Sequence, residues 1–400
     1  MKIEHINHAS VLIEGNSENF VLTDPWYISP AFGGWVQRPQ PYLNSLRKIL
    51  SIPQEKLTVV VSHGHDDHLD EFFISHHLKD CNFVVPKFEN PGLVSRIERL
   101  INKKPLVLTE KVLDLGGWKF SSFINDEFTF YDAIVSISDG ISLCIHANDN
   151  WHEYPKSLIE KLSKKIVEVG GADKSYFLVQ LGVADSFPIN YSVLSDEECL
   201  GILEERIDNY GNAFTKNIEN LCLDSAFIYA NQTTYSYPSF RSLEKTPYEM
   251  VQSFLEKSNL PIEQLLPGQV INCDKKKEVR QENEISLFSF CLNAFLTKAR
   301  NFTKKDNLFF KVNKEDCEPE GVCYYTDMVN WQRILIGELT LESITIGGLG
   351  SVTKPKDSNI SDLHHSITKF SYMAQAQIKK LGLGYYDLTN EKKTLKNAKG

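Results

Sequence analysis

Three histidines and two aspartates fall within residues 62–68, in the run Ser-His-Gly-His-Asp-Asp-His. The spacing His-x-His-x-Asp-His lets one tight loop present two imidazoles to one cation, and a carboxylate with an imidazole to a second. Neutral imidazole suits zinc, iron and similar ions, whereas a carboxylate suits harder ions and can activate a bound water. We therefore predict that His63, His65, Asp67 and His68 are metal ligands, and that Gly64 eases the turn between them.

A buried strand has to hold this loop. Residues 57–61 form an unbroken apolar, β-branched run that ends directly in the histidines, which is typical of a strand covered on both faces. Residues 11–14 and 20–23 flank a Gly-Asn turn and predict a hairpin before it. Residues 83–86 predict the next strand, and residues 93–101 have the periodicity of an amphipathic helix. The pattern is that of alternating strands and helices.

The same pattern continues for about 200 residues and then weakens. Strands are predicted at 118–124, 133–137, 141–146 and 177–183, and a helix from 196 to about 220. A charged, apolar-poor stretch at 274–284 indicates a boundary. We expect a catalytic domain at 1–274 and an accessory region at 285–390, with a strand at 308–312 and a helix at 331–336. The lysine-rich residues 391–400 are expected to form a disordered tail.

Composition limits the partners. The chain has 400 residues, 42% of them hydrophobic, which is enough to bury a large core. Its formal net charge of -9 disfavours a sequence-independent grip on nucleic acid, so a small-molecule substrate is expected. No long apolar segment predicts a membrane span. Its eight cysteines include no Cys-x-x-Cys pair, so most are expected to be reduced. We expect a cytoplasmic protein.

The histidine loop and its surroundings resemble the metallo-β-lactamase superfamily. Asn7-His8-Ala9-Ser10-Val11-Leu12-Ile13-Glu14 and Leu22-Thr23-Asp24-Pro25-Trp26 resemble the first strands of its lactonase-like branch. The resemblance implies an α/β fold, an αββα sandwich with a C-terminal α+β extension, in which the motif lies at a strand end. It also implies that Asp24 supports the ligands from behind, that Asp149 bridges two metals, and that Asp67 is both ligand and catalytic proton acceptor.

A further resemblance is to the catalytic portion of the CMP-N-acetylneuraminate hydroxylase family, over roughly residues 1–270. The matching segments include Asp24-Pro25-Trp26, Asn148-Asp149 and Ser186-Phe187-Pro188-Ile189-Asn190-Tyr191-Ser192. That family feeds electrons through a Rieske centre, which needs Cys-x-His and Cys-x-x-His pairs. This chain has no Cys-x-x-His, so oxidation by it would require a separate electron donor.

One ligand of the superfamily is missing from this sequence. The superfamily has a further histidine shortly before the strand that begins near Asp132, and residues 125–131 contain none. Asp126 or Glu127 could substitute and make the site richer in carboxylates, which favours iron or manganese over zinc. His146 is another alternative. His8 is expected to pack beneath the site.

Three functions follow from these expectations. The first is hydrolysis of a small-molecule ester, lactone, amide or phosphoester by a metal-bound hydroxide, with two divalent ions, zinc or iron, as cofactors. The second is oxidation of a small metabolite by a di-iron oxygenase. The third, motivated by the missing histidine, is a degenerate metal-binding protein without activity. Metal identity discriminates between the first two.

Overall fold

The computed structural model of the chain divides into two compact units. The first comprises Met1–Tyr27, Gln37–Thr233 and Ser239–Asn283, and the second comprises Ile28–Val36, Thr234–Pro238 and Glu284–Gly400. The structure describes residues 1–125, 132–148, 151, 154–169, 174–182, 187–189, 191–218, 221, 225–230, 233–235, 247–258, 262–272, 275–278, 286–293, 295, 308–312, 322–339 and 349–353. The expected tail at 391–400 lies outside these residues, and the expected domain boundaries stay predictions.

The described strands and helices alternate along residues 2–278. The strands are β1 (Lys2–Asn7), β2 (Ser10–Glu14), β3 (Phe20–Thr23), β4 (Trp35–Gln37), β5 (Leu57–Val60), β6 (Asn82–Pro86), β7 (Leu106–Leu108), β8 (Leu113–Leu115), β9 (Trp118–Ile124), β10 (Ala133–Ser138), β11 (Ser142–Asn148), β12 (Lys174–Gln180), β13 (Ser225–Tyr229), β14 (Thr233–Tyr235), β15 (Ile262–Gln264), β16 (Val270–Asn272) and β17 (Lys275–Glu278). The helices are α1 (Leu43–Ser51), α2 (Glu71–Phe73), α3 (Gly92–Ile101), α4 (Lys156–Val169), α5 (Asp196–Ile218) and α6 (Pro247–Ser258).

Two sheets bring their strand ends to the functional residues. The first has the order β17-β16-β1-β2-β3-β5-β6-β7, and β3, β5, β6 and β7 run parallel. The second has the order β15-β13-β12-β11-β10-β9-β8, and β11, β12, β13 and β15 run parallel. Parallel strands end at one edge of a sheet, which is where ligand sites form in α/β folds. β5 is buried throughout, as the sequence predicted.

The two sheets face each other through an apolar core. Val11 and Val60 of the first sheet share one hydrophobic cluster with Val135 and Cys144 of the second. On the outer face of the second sheet, Phe177 packs in a second cluster with side chains of α4, α5 and α6, including Leu162, Leu203 and Phe254. On the outer face of the first sheet, Glu4 bonds to α1. This layering is the αββα sandwich that the sequence analysis expected.

Glu4 is a buried carboxylate that ties α1 to the first sheet. It accepts hydrogen bonds from Ser45 Oγ at 2.8 Å and from Lys48 Nζ at 2.9 Å. Lys48 also bonds to Glu14. Burial by itself would lower the pKa of Lys48, but its bonds to Glu14 and Glu4 hold that pKa above its ordinary value. The ammonium group therefore stays charged and compensates Glu4.

We expect Lys48→Met to lower the free energy of unfolding at pH 7 by about 2–3 kcal/mol, because it leaves a buried carboxylate without its cation. The folded-state pKa of Lys48 is raised, so this stabilisation is complete below the pKa of lysine in the unfolded chain. It disappears as the pH rises through the folded-state pKa. Urea unfolding measures the effect. The double variant Glu4→Gln/Lys48→Met should recover much of the loss, and an equally unstable double variant would contradict the assignment.

The second unit contains a small sheet and a helix, an α+β composition. β18 (Leu308–Lys311) pairs in parallel with β19 (Val322–Tyr325), which pairs antiparallel with β20 (Ser351–Thr353). The helix expected at 331–336 is α7 (Met328–Leu335), which begins earlier because Asp327 accepts a hydrogen bond from the Asn330 backbone and caps it. Cys323 is disulfide-bonded, whereas Cys81, Cys144, Cys199 and Cys291 are free, in line with the expectation that most cysteines are reduced.

Other differences from the sequence expectations are shifts of element ends. β12 begins at Lys174, three residues before the expected start at 177, and ends at Gln180 rather than 183. Among the described residues, no helix has the length and apolar character needed to cross a bilayer.

Candidate metal centre

The histidine loop follows β5 and is held by backbone hydrogen bonds at both ends. Val61 donates to the carbonyl of Val84 at 3.1 Å, and Asp70 donates to that of Pro25 at 2.8 Å. His63, Asp67 and His68 are buried, whereas His65 is exposed. A Cβ on Gly64 would meet its nearest neighbour, Leu93, only at 3.9 Å. The expectation that glycine is needed there for the turn was therefore wrong on steric grounds.

Arg96 of α3 fixes the loop from outside, a role that the sequence did not reveal. Its Nη1 donates to the carbonyl of Gly64 at 2.6 Å, its Nη2 to Asp66 Oδ1 at 2.9 Å, and its Nε to Glu71 Oε1 at 2.5 Å. The planar guanidinium group can satisfy three acceptors at once. It therefore couples the position of the loop to α3.

We expect Arg96→Ala to weaken zinc binding about tenfold, at the lower end of what loss of an outer-shell partner costs, because the loop loses its hydrogen bonds from Arg96 to Gly64 and Asp66. Competition with a chromophoric chelator measures this affinity. Arg99→Ala is the matched control, since Arg99 is exposed and approaches only Glu71, at 3.8 Å. Equal affinity of the two variants would mean that the loop holds its shape without Arg96.

The first cluster joins His63, His65 and Asp132, whose ligand atoms all lie within 4.8 Å of one another. His63 Nε2 is 2.9 Å from His65 Nδ1 and 3.4 Å from Asp132 Oδ1. Asp132 is buried and immediately precedes β10. From the sequence, the missing ligand was expected at Asp126, Glu127 or His146, and Asp132 was not foreseen. Asp126 and Glu127 lie outside the described residues.

The second cluster joins His8, Asp67 and His68, again with ligand atoms within 4.8 Å of one another. Asp67 Oδ2 is 3.2 Å from His8 Nε2 and 3.8 Å from His68 Nε2. His8 lies in the turn between β1 and β2 with a φ of 47°. This backbone conformation directs the ring of His8 at Asp67, so His8 can serve as a ligand, a role that was not expected from the sequence.

The unusual backbone of His8 is held by two donors to its carbonyl oxygen. The Ala230 backbone donates to it at 3.0 Å, and His5 Nε2 donates at 2.8 Å. Burial lowers the pKa of His5 to about 4, so its ring is neutral near pH 7. The turn that carries His8 is therefore fixed before any metal binds.

Asp24 lies behind both clusters and connects them. Its Oδ1 accepts from the Ser62 backbone at 2.7 Å, and its Oδ2 accepts from Ser62 Oγ at 2.6 Å and from His68 Nδ1 at 2.9 Å. Ser62 Oγ also lies 3.2 Å from His63 Nδ1. Bonds at Nδ1 leave Nε2 of His63 and His68 facing the two clusters, the arrangement by which outer carboxylates orient metal-binding histidines.

The charge on Asp24 follows from its partners. Burial by itself would raise the pKa of this carboxyl, but His146 and His68 outweigh it and hold the pKa well below its ordinary range. Asp24 is thus an anion inside the protein, with all its donors supplied by side chains and backbone. In the sequence, only the family resemblance pointed to this supporting role for Asp24.

His146 does not belong to either cluster. Its Nε2 is 2.7 Å from Asp24 Oδ2, and its Nδ1 is hydrogen-bonded to the hydroxyl of Tyr229. Both ring nitrogens are therefore engaged away from the cluster atoms, and His146 was wrongly considered as a replacement ligand.

Asp149 lies outside the described residues, so its proposed bridging position stays a prediction. Asn148 is the last residue of β11, and its Nδ2 atom lies 3.3 Å from His63 Nδ1.

The residues present fit divalent metal ions. Each cluster offers two imidazoles and one carboxylate, the donor types that bind zinc, iron and manganese. The rings of His63 and His68, one from each cluster, have centroids 4.1 Å apart, so the clusters adjoin. Buried carboxylates next to imidazoles are costly to maintain unless a cation or proton balances them. A pair of metal ions would supply that balance.

Comparisons with known proteins found similar solved structures but no matching family. No protein-family model matches the chain, and no curated protein matches it. Among solved structures, CmlA, a diiron β-hydroxylase from Streptomyces venezuelae, is 15% identical over 68% of this chain and 53% of its own, with a TM-score of 0.44. A possible metal-dependent hydrolase from Veillonella parvula is 15% identical over 68% and 98%, with a TM-score of 0.43. The metallo-β-lactamase fold protein YhfI from Bacillus subtilis is 12% identical over 68% and 98%, with a TM-score of 0.38.

The match therefore spans about half the length of CmlA. The solved structures that this chain resembles include metallo-β-lactamase-fold proteins, as the sequence resemblance implied. The chemistry of the site rests on the side chains of the two clusters.

Proposed function

We propose that this protein is a metal-dependent hydrolase with a two-metal centre. The observation that carries the proposal is the pair of adjoining clusters, His63, His65 and Asp132 beside His8, Asp67 and His68. We further propose Asp149 as the bridging carboxylate, on the strength of the family resemblance. Two divalent ions a few ångströms apart suit displacement reactions at carbonyl or phosphoryl centres.

The metals, when bound, would polarise a substrate oxygen and lower the pKa of a water molecule. The residues of the chain hold and orient the site. We propose that Asp67 accepts a proton as well as binding metal, as the family resemblance implies, and its Oδ2 lies 3.2 Å from His8 Nε2. His65 is the exposed member of the clusters, so substrate would approach on its side.

The substrate class follows from the site and the charge of the chain. We propose a small-molecule ester, lactone, amide or phosphoester, since the clusters offer imidazoles and carboxylates and no basic patch is indicated by the net charge of -9. Nucleic acid and membrane partners are not part of the proposal, and cytoplasmic localisation stays an expectation.

Metal analysis together with a panel of small chromogenic esters, lactones and phosphodiesters tests the proposal. We expect close to two metal ions per chain and hydrolysis that is lost on chelation and restored by zinc. The double variant His63→Ala/His65→Ala should lose the first metal and the activity. His76→Ala is the control, because His76 is exposed and stacks on Phe72 away from the clusters. Substoichiometric metal without activity would instead support a degenerate metal-binding protein.

A second candidate is a di-iron oxygenase, and Asp132 is the observation that favours it. A carboxylate at this position makes the first cluster richer in oxygen ligands than a three-histidine set, which suits iron better than zinc. A separate electron donor would be required. Oxygen uptake by the iron-loaded protein with a chemical reductant, coupled to product, would favour this candidate, whereas an inert iron form with an active zinc form would exclude it.

A further inference from the structure

A buried tyrosine and histidine extend the support of the second cluster beyond Asp24. Tyr229, the last residue of β13, and His146 of β11 are both fully buried. The Tyr229 hydroxyl is hydrogen-bonded to His146 Nδ1, and their rings meet edge to face with centroids 5.6 Å apart. His146 Nε2 lies 2.7 Å from Asp24 Oδ2, the same oxygen that receives His68 Nδ1. The four side chains form one continuous hydrogen-bonded chain.

The directions of these hydrogen bonds follow from the Asp24 carboxylate, which accepts from two of the other three side chains. An ionised carboxylate only accepts, so His146 Nε2 and His68 Nδ1 must both carry protons toward Asp24. With its ring proton on Nε2, His146 presents the Nδ1 lone pair to the Tyr229 hydroxyl, which then donates to it. His68, with its proton on Nδ1, has its Nε2 lone pair facing Asp67 and His8.

We propose that Tyr229 and His146 are positioning residues that fix the tautomer of His68 for metal binding in the second cluster. The inference rests on the proposed metal centre. Tyr229 donates to Nδ1 of His146 and so excludes the tautomer with a proton there. In that tautomer the lone pair of His146 Nε2 would face the Asp24 carboxylate, and the two would repel each other. With His146 fixed, Asp24 keeps the orientation that accepts from His68.

The interaction has a signature that ordinary packing would not produce. Glutamine at 146 can donate its amide N–H to Asp24 but has no ring tautomer for Tyr229 to select. Removing the Tyr229 hydroxyl should therefore weaken zinc binding when residue 146 is histidine and leave zinc binding nearly unchanged when residue 146 is glutamine. If Tyr229 had only a structural role, its removal would weaken zinc binding equally in both backgrounds.

Zinc affinity in the full-length protein, measured by chelator competition, tests the inference. We expect Tyr229→Phe to weaken zinc binding about tenfold in the wild-type background and less than twofold in the His146→Gln background. Tyr27→Phe is the control, since its equally buried hydroxyl bonds to Ser10, 2.6 Å away. Long-range ¹⁵N–¹H spectra of the metal-free protein should show His146 protonated on Nε2 in the wild type and as a tautomer mixture in Tyr229→Phe.

The outcomes separate the two proposals. Unchanged zinc affinity in Tyr229→Phe, or an equal loss in both backgrounds, overturns the positioning role and leaves the metal centre standing. A wild-type protein that binds no zinc, iron or manganese overturns the metal centre and, with it, the role of the pair. The tautomer spectra decide the link between Tyr229 and His146 without any metal.

Discussion

Asp24→Asn is expected to weaken zinc binding by about 100-fold, which is the upper end of what loss of an outer-shell partner costs. The amide keeps the size of the carboxylate, but its nitrogen can no longer accept a hydrogen bond. Asp24 receives donors from Ser62, His68 and His146, so at least one donor would face the amide nitrogen. His68 loses its orientation directly, and His63 loses it through Ser62. Metal content after dialysis and chelator competition measure the loss.

Asp70→Asn is the matched control for this substitution. Asp70 is another buried carboxylate next to the histidine loop, and it accepts hydrogen bonds from the backbones of Tyr27 and Phe73 at 3.1 and 3.0 Å. An amide oxygen can replace part of that role without affecting either cluster. Circular dichroism establishes that both variants are folded. A folded Asp24→Asn protein with wild-type metal content would show that the clusters do not need this support.

Asp132→His is expected to shift the metal preference of the first cluster toward zinc, by about tenfold in the ratio of zinc to manganese bound. The change replaces the one carboxylate of the cluster by a third imidazole, and imidazole suits zinc whereas carboxylate suits manganese. If the protein oxidises its substrate with iron, oxygen uptake should fall in the same variant. Loading with an equimolar mixture of the two metals, followed by elemental analysis, gives the ratio.

Asp139→His is the comparison for this variant. Asp139 follows β10 at its other end and accepts hydrogen bonds from the backbones of Ile141 and Ser142, at 3.1 and 2.7 Å. The substitution thus adds the same imidazole to the same strand, away from the clusters. An unchanged metal ratio in Asp132→His would mean that this carboxylate does not bind metal and that the first cluster has only two ligands among the described residues.

The local parts of this molecule could be predicted from the sequence because they depend on neighbours in the chain. The apolar run of β5, the hairpin of β2 and β3, and the close spacing of His63, His65, Asp67 and His68 are all contained in short windows. Their strand ends and loop positions follow from periodicity and turn residues. The layered fold followed from the resemblance that these residues carry.

The remaining members of the site depend on contacts between distant segments. His8 reaches Asp67 because a turn with positive φ is held by Ala230, more than 200 residues away. Asp132 joins His63 because β10 begins, and β11 ends, at the edge where β5 ends. A single aspartate before a strand has no distinguishing pattern. His146 looks like a ligand in the sequence, and only its bonds to Asp24 and Tyr229 show otherwise.

The two clusters differ in solvent exposure, because the ring of His65 is exposed. Every other member of the two clusters, His8, His63, Asp67, His68 and Asp132, is buried. An ion between His63, His65 and Asp132 would thus exchange with chelators through a water-facing ligand, whereas an ion between His8, Asp67 and His68 would leave only after the protein opens. Demetallation should then proceed in a fast and a slow phase, with a half-loaded protein between them.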